Sequence, residues 1–268
     1  MSEKIIQKIA VMVDFSTNDK MLITNGINLC SVFRKELCLV HHLKKRSFRQ
    51  GAKKRLDDII KTIKDDLNEL KVSVCVIDGP KSEISVKMAD DHEIILIIAD
   101  KKKYKEYSGA VINSPVPFLF VNAQKEELSF NNITLPVDLR KGISDAAVWS
   151  SYFGRYNKSK ITVIAANHKG KNEQKQIANN IRQIKKLMHN FKIDHKIYKG
   201  TKSSLRNSFE ALNFALVSNS DMLVLLGSST ITPLDILIGL PEKKIIEKAG
   251  IPAVMLVNSR RDNYILCS

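Results

Sequence analysis

The sequence predicts an α/β protein built as two tandem, doubly wound, parallel five-stranded sheets. Three observations carry that prediction. The first is a duplication. Lys8-Ile9-Ala10-Val11-Met12-Val13-Asp14 is answered by Asn132-Ile133-Thr134-Leu135-Pro136-Val137-Asp138, and the two aspartates are 124 residues apart (138 − 14). The second is that the runs Leu37-Cys38-Leu39-Val40 and Ile161-Thr162-Val163-Ile164 keep the same offset (161 − 37). The third is the alternation of short continuous apolar runs with helical stripes, which implies buried parallel strands joined by right-handed crossovers. A chain of 268 residues suits two domains of about 130. We place them at 1–124 and 125–268, with the polar stretch 123–131 as linker.

In the first half, residues 9–13 read as a strand. Ser16 or Thr17 can cap the following helix, with Asp19 in its first turn and Leu22, Ile23, Ile27, Cys30 and Phe33 on its apolar face. Residues 37–43 form the next strand. A loop to about Gly51 leads into an amphipathic helix carrying Leu56, Ile59, Ile60, Ile63, Leu67 and Leu70. A third strand at 72–77 ends at Asp78-Gly79-Pro80. Ser82 caps a short helix through Ile84 and Met88, and strands follow at 93–99 and 117–121.

The second half repeats the order. A strand at 133–137 precedes a helix capped by Ser144, with Ala147, Val148, Ser151 and Tyr152. A strand at 161–165 precedes a helix with Ile177, Ile181, Ile184 and Leu187. A strand at 191–198 ends near Gly200, and the next helix carries Leu205, Phe209, Leu212 and Leu216. Strands four and five are expected at 222–226 and 252–257. In such sheets ligands sit beyond the carboxyl ends of the strands, at the switch point. Asp14, Asp138 and the turn Gly227-Ser228-Ser229-Thr230 occupy such places.

Composition excludes several classes. No run approaches the 18 or so apolar residues of a membrane span, and the opening residues lack a signal-peptide pattern, so a cytoplasmic protein is expected. Cys30, Cys38, Cys75 and Cys267 make no C-x-x-C pair, and neither a zinc site nor a disulfide framework is expected. The net charge of +15 is spread over both halves and favours contact with anions.

The aspartate closing each first strand, five strands per repeat and Gly227-Ser228 after strand four together resemble the universal stress protein family. The segments that carry the resemblance are Ala10-Val11-Met12-Val13-Asp14-Phe15-Ser16 and Ser220-Asp221-Met222-Leu223-Val224-Leu225-Leu226-Gly227-Ser228-Ser229. Gly239-Leu240-Pro241, leading to Gly250-Ile251-Pro252-Ala253-Val254-Met255-Leu256-Val257, is also similar. The resemblance covers nearly the whole chain as two tandem domains of the adenine nucleotide alpha hydrolase-like fold, and implies a stress-response or regulatory protein without catalytic residues. Some family members bind ATP through the aspartate after strand one, placed to accept a hydrogen bond from adenine or ribose, and through a G-x-x-G-x9-G-[ST] motif after strand four. Glycines there let backbone N–H groups close on phosphate, with a helix N-terminus behind them.

The two copies depart from that motif unequally. In the second half Gly227 matches the first glycine, the second position is Thr230, and Gly239 lies one residue before the third, so the phosphate loop is partial. In the first half strand four is followed by Ala99-Asp100-Lys101-Lys102-Lys103, and the span from Asp14 to Pro117 is 103 residues (117 − 14) against 114 from Asp138 to Pro252 (252 − 138). The loop is lost there, Asp100 would repel a phosphate, and Lys101–Lys103 offer point charges without a cradle. The expected site for ATP or another anion is therefore in the second domain, at Asp138, Gly227, Ser228, Ser229, Thr230 and Gly239. No catalytic or metal-binding residues are expected, and no other cofactor.

Simpler roles stand beside these. Asp14 and Asp138 also fit turn-fixing residues. His41 and His42 point to opposite faces of a strand and chelate poorly. The basic cluster from Lys44 to Arg55, with Phe48 inside it, reads as a solvated loop and helix start. Two other functional classes are a weak ATP hydrolase, for which no base or metal cluster is visible, and a nucleic-acid-associated protein, which would rest on charge alone. The apolar fifth strands, expected at the sheet edge, call for pairing, either as an internal pseudo-dimer or between chains as a homodimer.

Overall fold

The computed structural model describes residues 6–43, 45–67, 69–112, 114–124, 128–227, 241–248 and 250–258. The chain divides into two compact units, with the boundary before Leu128. In the first, the elements run β1 (Lys8–Met12), α1 (Asp19–Phe33), β2 (Glu36–His42), α2 (Arg49–Asp66), β3 (Val72–Ile77), α3 (Ile84–His92), β4 (Ile94–Asp100), α4 (Tyr104–Ile112) and β5 (Phe118–Val121). All pairings are parallel and the order is β3-β2-β1-β4-β5. The chain winds one way from β1 to β3, then returns to the other side of β1 with β4. That reversal sets a crevice at the carboxyl ends of β1 and β4.

The second unit has β6 (Asn132–Val137), α5 (Ile143–Tyr156), β7 (Lys160–Ala165), α6 (Lys171–Asn190), β8 (His195–Lys199), α7 (Ser204–Val217), β9 (Met222–Leu226), α8 (Pro241–Lys248) and β10 (Ala253–Val257). Its order is β8-β7-β6-β9-β10, again parallel throughout. The winding is that of the first unit, as the 124-residue offset predicts.

The central strands are apolar on both faces because helices cover both faces. Every residue of β4, β5, β9 and β10 is buried. Trp149 on α5 is core, at 2% exposure. On α1, Gly26 lies against the side chains of Val11 and Leu37, leaving no room for a Cβ and letting the helix close on the sheet.

Local expectations were corrected at several points. Helix α1 starts at Asp19, and neither Ser16 nor Thr17 caps it; instead the Asp19 carboxylate turns back to accept N–H bonds from Asp14 and Phe15. No side chain caps α3 or α5, and α2 ends at Asp66, before Leu70. Phe191 closes α6 and β8 begins only at His195. Helix α4 carries no helix expectation from the sequence, yet buries Tyr104, Tyr107, Ala110 and Val111.

The largest difference is the face of α7. It buries Asn207, Ala211 and Ala215, while Leu205 is 76% exposed. Small side chains let α7 approach the sheet closely, and Asn207 Nδ2 donates to Val137 O (3.0 Å) and Ile164 O (3.1 Å) at two strand ends. Val137 O already accepts from Ala166 N (2.8 Å), so the Asn207 amide adds a second bond there and ties α7 to the ends of β6 and β7, where hydrophobicity alone would choose the leucines.

Candidate functional site

The two aspartates that end the first strands lie in opposite environments. In the second unit, Asp138 follows β6 and is 3% exposed. Its Oδ1 accepts from the Arg140 backbone N–H (2.9 Å), and its Oδ2 accepts from Arg140 Nε (2.9 Å) and Nη2 (2.7 Å). Arg140 Nη1 donates to Leu226 O (2.9 Å), at the end of β9 and next to Gly227. The guanidinium thereby ties the ends of β6 and β9 together. Asn180 of α6 completes the frame, donating to Asp138 O (2.8 Å) and Arg140 O (3.3 Å). Three of the five guanidinium N–H groups are used in these bonds, which leaves two without a partner among the described residues, and the side chain is 40% exposed. Its planar fork suits a carboxylate or phosphate.

Of the residues expected to form the site, the structure brings Asp138 and Gly227 to the same end of the sheet, with Arg140 between them. Gly227 N–H donates to Val257 O (2.8 Å), and Asn258 Oδ1 packs where a Gly227 Cβ would stand. Ser228, Ser229, Thr230 and Gly239 lie outside the described residues. Arg140, Asn180 and Asn207 carry no sequence motif. The signal that could have found the asparagines is a polar residue on a helix's buried face: Asn180 lies one turn from Ile177 and Ile184.

In the first unit Asp14 is exposed. Its Oδ1 accepts from Ser16 N (3.0 Å), and Lys103 Nζ stands 3.1 Å from Oδ2. Partial burial works to raise this carboxyl's pKa, but the hydrogen bonds of Ser16 and Lys103 win, and it lies below the usual aspartate value. Asp19, buried beside it, is pushed up to about 6, chiefly by burial and also by the Asp14 charge, against the pull of the backbone N–H bonds.

At the end of β4, Asp100 is engaged within its own turn. It accepts from Lys102 N (2.9 Å) and from Asn18 Nδ2 (2.7 Å), stabilising a 3-10 turn over Lys101–Lys103. Lys101 is buried and only Lys103 of the three reaches Asp14.

Beyond this turn lies a cleft of about 750 Å³. His41 and His42 both line it, each tied to backbone: His41 Nδ1 donates to Val13 O (2.7 Å) and His42 Nε2 to Gly79 O (2.9 Å). Burial, opposed by the bond to Val13, lowers the His41 pKa. Among the described residues no group of three His, Cys, Asp or Glu could hold a metal, and no helix is long and apolar enough to cross a membrane.

No protein-family model matches the chain, and no curated protein matches its sequence. Solved structures do match its shape. A universal stress protein from Archaeoglobus fulgidus DSM 4304 superposes with a TM-score of 0.69 over 94% of this chain and 98% of its own, at 13% identity. The fold is that of the universal stress proteins. A functionally unknown protein from Pseudomonas aeruginosa PAO1 is similar over 95% of this chain and 93% of its own, at 14% identity and a TM-score of 0.65. The universal stress protein fold therefore spans both halves, each relative being matched over nearly its whole length.

Proposed function

We propose that this chain is a non-catalytic regulatory or stress-response binding protein of the cytoplasm that holds an adenine nucleotide or another anion in its second domain, residues 125–268. The observation that supports this most is the Arg140 guanidinium, fixed by Asp138 and Leu226 beside Gly227 with two N–H groups to spare. A held cation costs a ligand less than a mobile one, because its side-chain entropy is already lost. In this reading Asp138 positions Arg140. Gly227 and, by sequence, Ser228, Ser229, Thr230 and Gly239 complete the anion site.

The test is native mass spectrometry of the full chain with ATP, in wild type and Arg140→Gln. One nucleotide per chain is expected, weakened about tenfold or more by the substitution, as for loss of a hydrogen bond to a charged group. No adduct at millimolar ATP would overturn the nucleotide reading.

The same proposal extends to assembly through the apolar fifth strands, residues 118–121 and 253–257, internally or between chains. Residues 126–268 alone are expected to self-associate in sedimentation, and a monomer at high concentration would overturn it.

A further inference from the structure

The cleft of the first unit has no part in that reading. Its floor is a fixed wedge. Asp19 Oδ1 and Oδ2 accept the N–H groups of Asp14 (3.3 Å) and Phe15 (2.6 Å), holding Phe15 at φ 65°, a left-handed conformation rare for an aromatic residue. The Phe15 ring so placed meets the His41 ring at 4.4 Å between centroids, and the Arg55 guanidinium lies over it at 3.9 Å. Phe48, 62% exposed, forms another wall.

The charges of the cleft are unequally spent. Lys81 is paired with Glu106 (2.8 Å), and Lys103 with both Asp14 (3.1 Å) and Glu106 (3.2 Å). Arg55 forms no ion pair or hydrogen bond among the described residues, and its side chain is exposed. Lying over the Phe15 ring, it is held by the ring while its N–H groups remain available to a ligand. His41, with Nδ1 donating to Val13, keeps Nε2 as an acceptor in its neutral form.

This chemistry selects a ligand. The volume falls in the range of small-molecule sites, roughly 300–1,000 Å³. A polyphosphate would need backbone N–H groups after β4, and there Asp100 already takes the N–H of Lys102. The unspent fork is instead on α2, next to exposed aromatic surface. We propose that this cleft binds a small planar aromatic carboxylate, its carboxylate forked on Arg55 and its ring against Phe48 and His41. The site stands independently of the second-domain reading, since no residue is shared.

The probe is 2-naphthoate, titrated calorimetrically into the full chain, with the neutral 2-naphthalenemethanol and the non-planar cyclohexanecarboxylate as comparisons. One naphthoate per chain is expected, with the alcohol and the cyclohexane acid each about tenfold weaker or more. Arg55→Gln and Phe48→Ala should each weaken naphthoate about tenfold without lowering the thermal midpoint, because both side chains are exposed. Arg140→Gln should leave it unchanged. No saturable binding at millimolar naphthoate overturns the proposal. So does an Arg55→Gln variant that binds as wild type, or an alcohol that binds as well as the acid. Displacement of naphthoate by ATP in an Arg55-dependent way would assign the cleft to nucleotides and overturn the ligand class.

Discussion

Asp14 and Asp138 hold the same place in two copies of one sheet, and what surrounds them has diverged. Asp138 is sealed and clamped by Arg140, with Asn180 and Asn207 pinning the carbonyls of neighbouring strand ends. Asp14 is open to solvent and meets a lysine on a flexible stem beside a roomy cleft. A duplicated fold thus preserves the position of a charged group far better than its role. What fixes the role is whether a partner of the right shape lies within reach: a guanidinium two residues away in one copy, an ammonium across the crevice in the other.

The difference can be broken by mutation, and the largest effect is expected at the clamp. Asp138→Ala leaves Arg140 without its anion and should destabilise the second unit by about 3 kcal/mol, the low end for breaking a buried pair because the guanidinium is partly wet. Asp14→Ala should cost under about 1 kcal/mol, since its ion pair is exposed. Urea denaturation of the two variants measures both, and equal losses would erase the contrast. Asn207→Ala should come next, at about 2 kcal/mol, because two buried hydrogen bonds between α7 and the strand ends are lost. Gly26→Ala tests the first unit in the same way. Its new methyl must displace Val11, and a loss of about 1–2 kcal/mol is expected for such overpacking; an unchanged melting temperature would show that α1 can shift.

A further contrast between the two regions is a pH dependence. The Asp19 pKa is about 6 in the folded protein against 3.8 as its ordinary value. The folded state therefore holds this proton more tightly than the unfolded chain. Its stabilising contribution is complete below about pH 3.8 and is lost as pH rises through 6. Asp14 has the opposite sign, losing its contribution as pH falls through its lowered pKa. Comparing wild type with Asp19→Asn isolates the first effect: the variant should lose less stability between pH 4 and 7. An unchanged slope would mean that Asp19 titrates normally.

The fold was legible in the sequence because its signals are local and repeated. The apolar runs of β1, β4, β6 and β9 can be buried on both faces only in a covered parallel sheet, and the duplication reinforced each assignment. The face of α7 was not legible. Leu205, Phe209, Leu212 and Leu216 give the better hydrophobic stripe, but the buried face is that of Asn207, Ala211 and Ala215, whose small side chains fit against the sheet and whose amide bonds two strand ends. That fit depends on the sheet surface and is invisible from the helix. The geometry around the candidate site was legible in part for the same reason. Asp138 and Gly227 stand out as strand-end residues, whereas Arg140 gains its meaning from Leu226, far away in sequence. The first-unit cleft was missed because it depends on a left-handed Phe15 held by Asp19, a residue whose type suggested only a helix start.

The hydrogen bond from Arg140 to Leu226 spans 86 residues, and that span has a consequence for biosynthesis. Every residue argued to form the first-unit cleft lies at or before Tyr107, so that cleft can mature while the ribosome is still translating the second half. The clamp cannot: its guanidinium must wait for β9, whose last residue is the Leu226 that accepts from it, before its geometry is set. During that interval Arg140 and Asp138 are exposed to whatever anions and cations the nascent chain meets. A ligand that engages the guanidinium early would act as a folding aid for the second unit, not merely as its cargo.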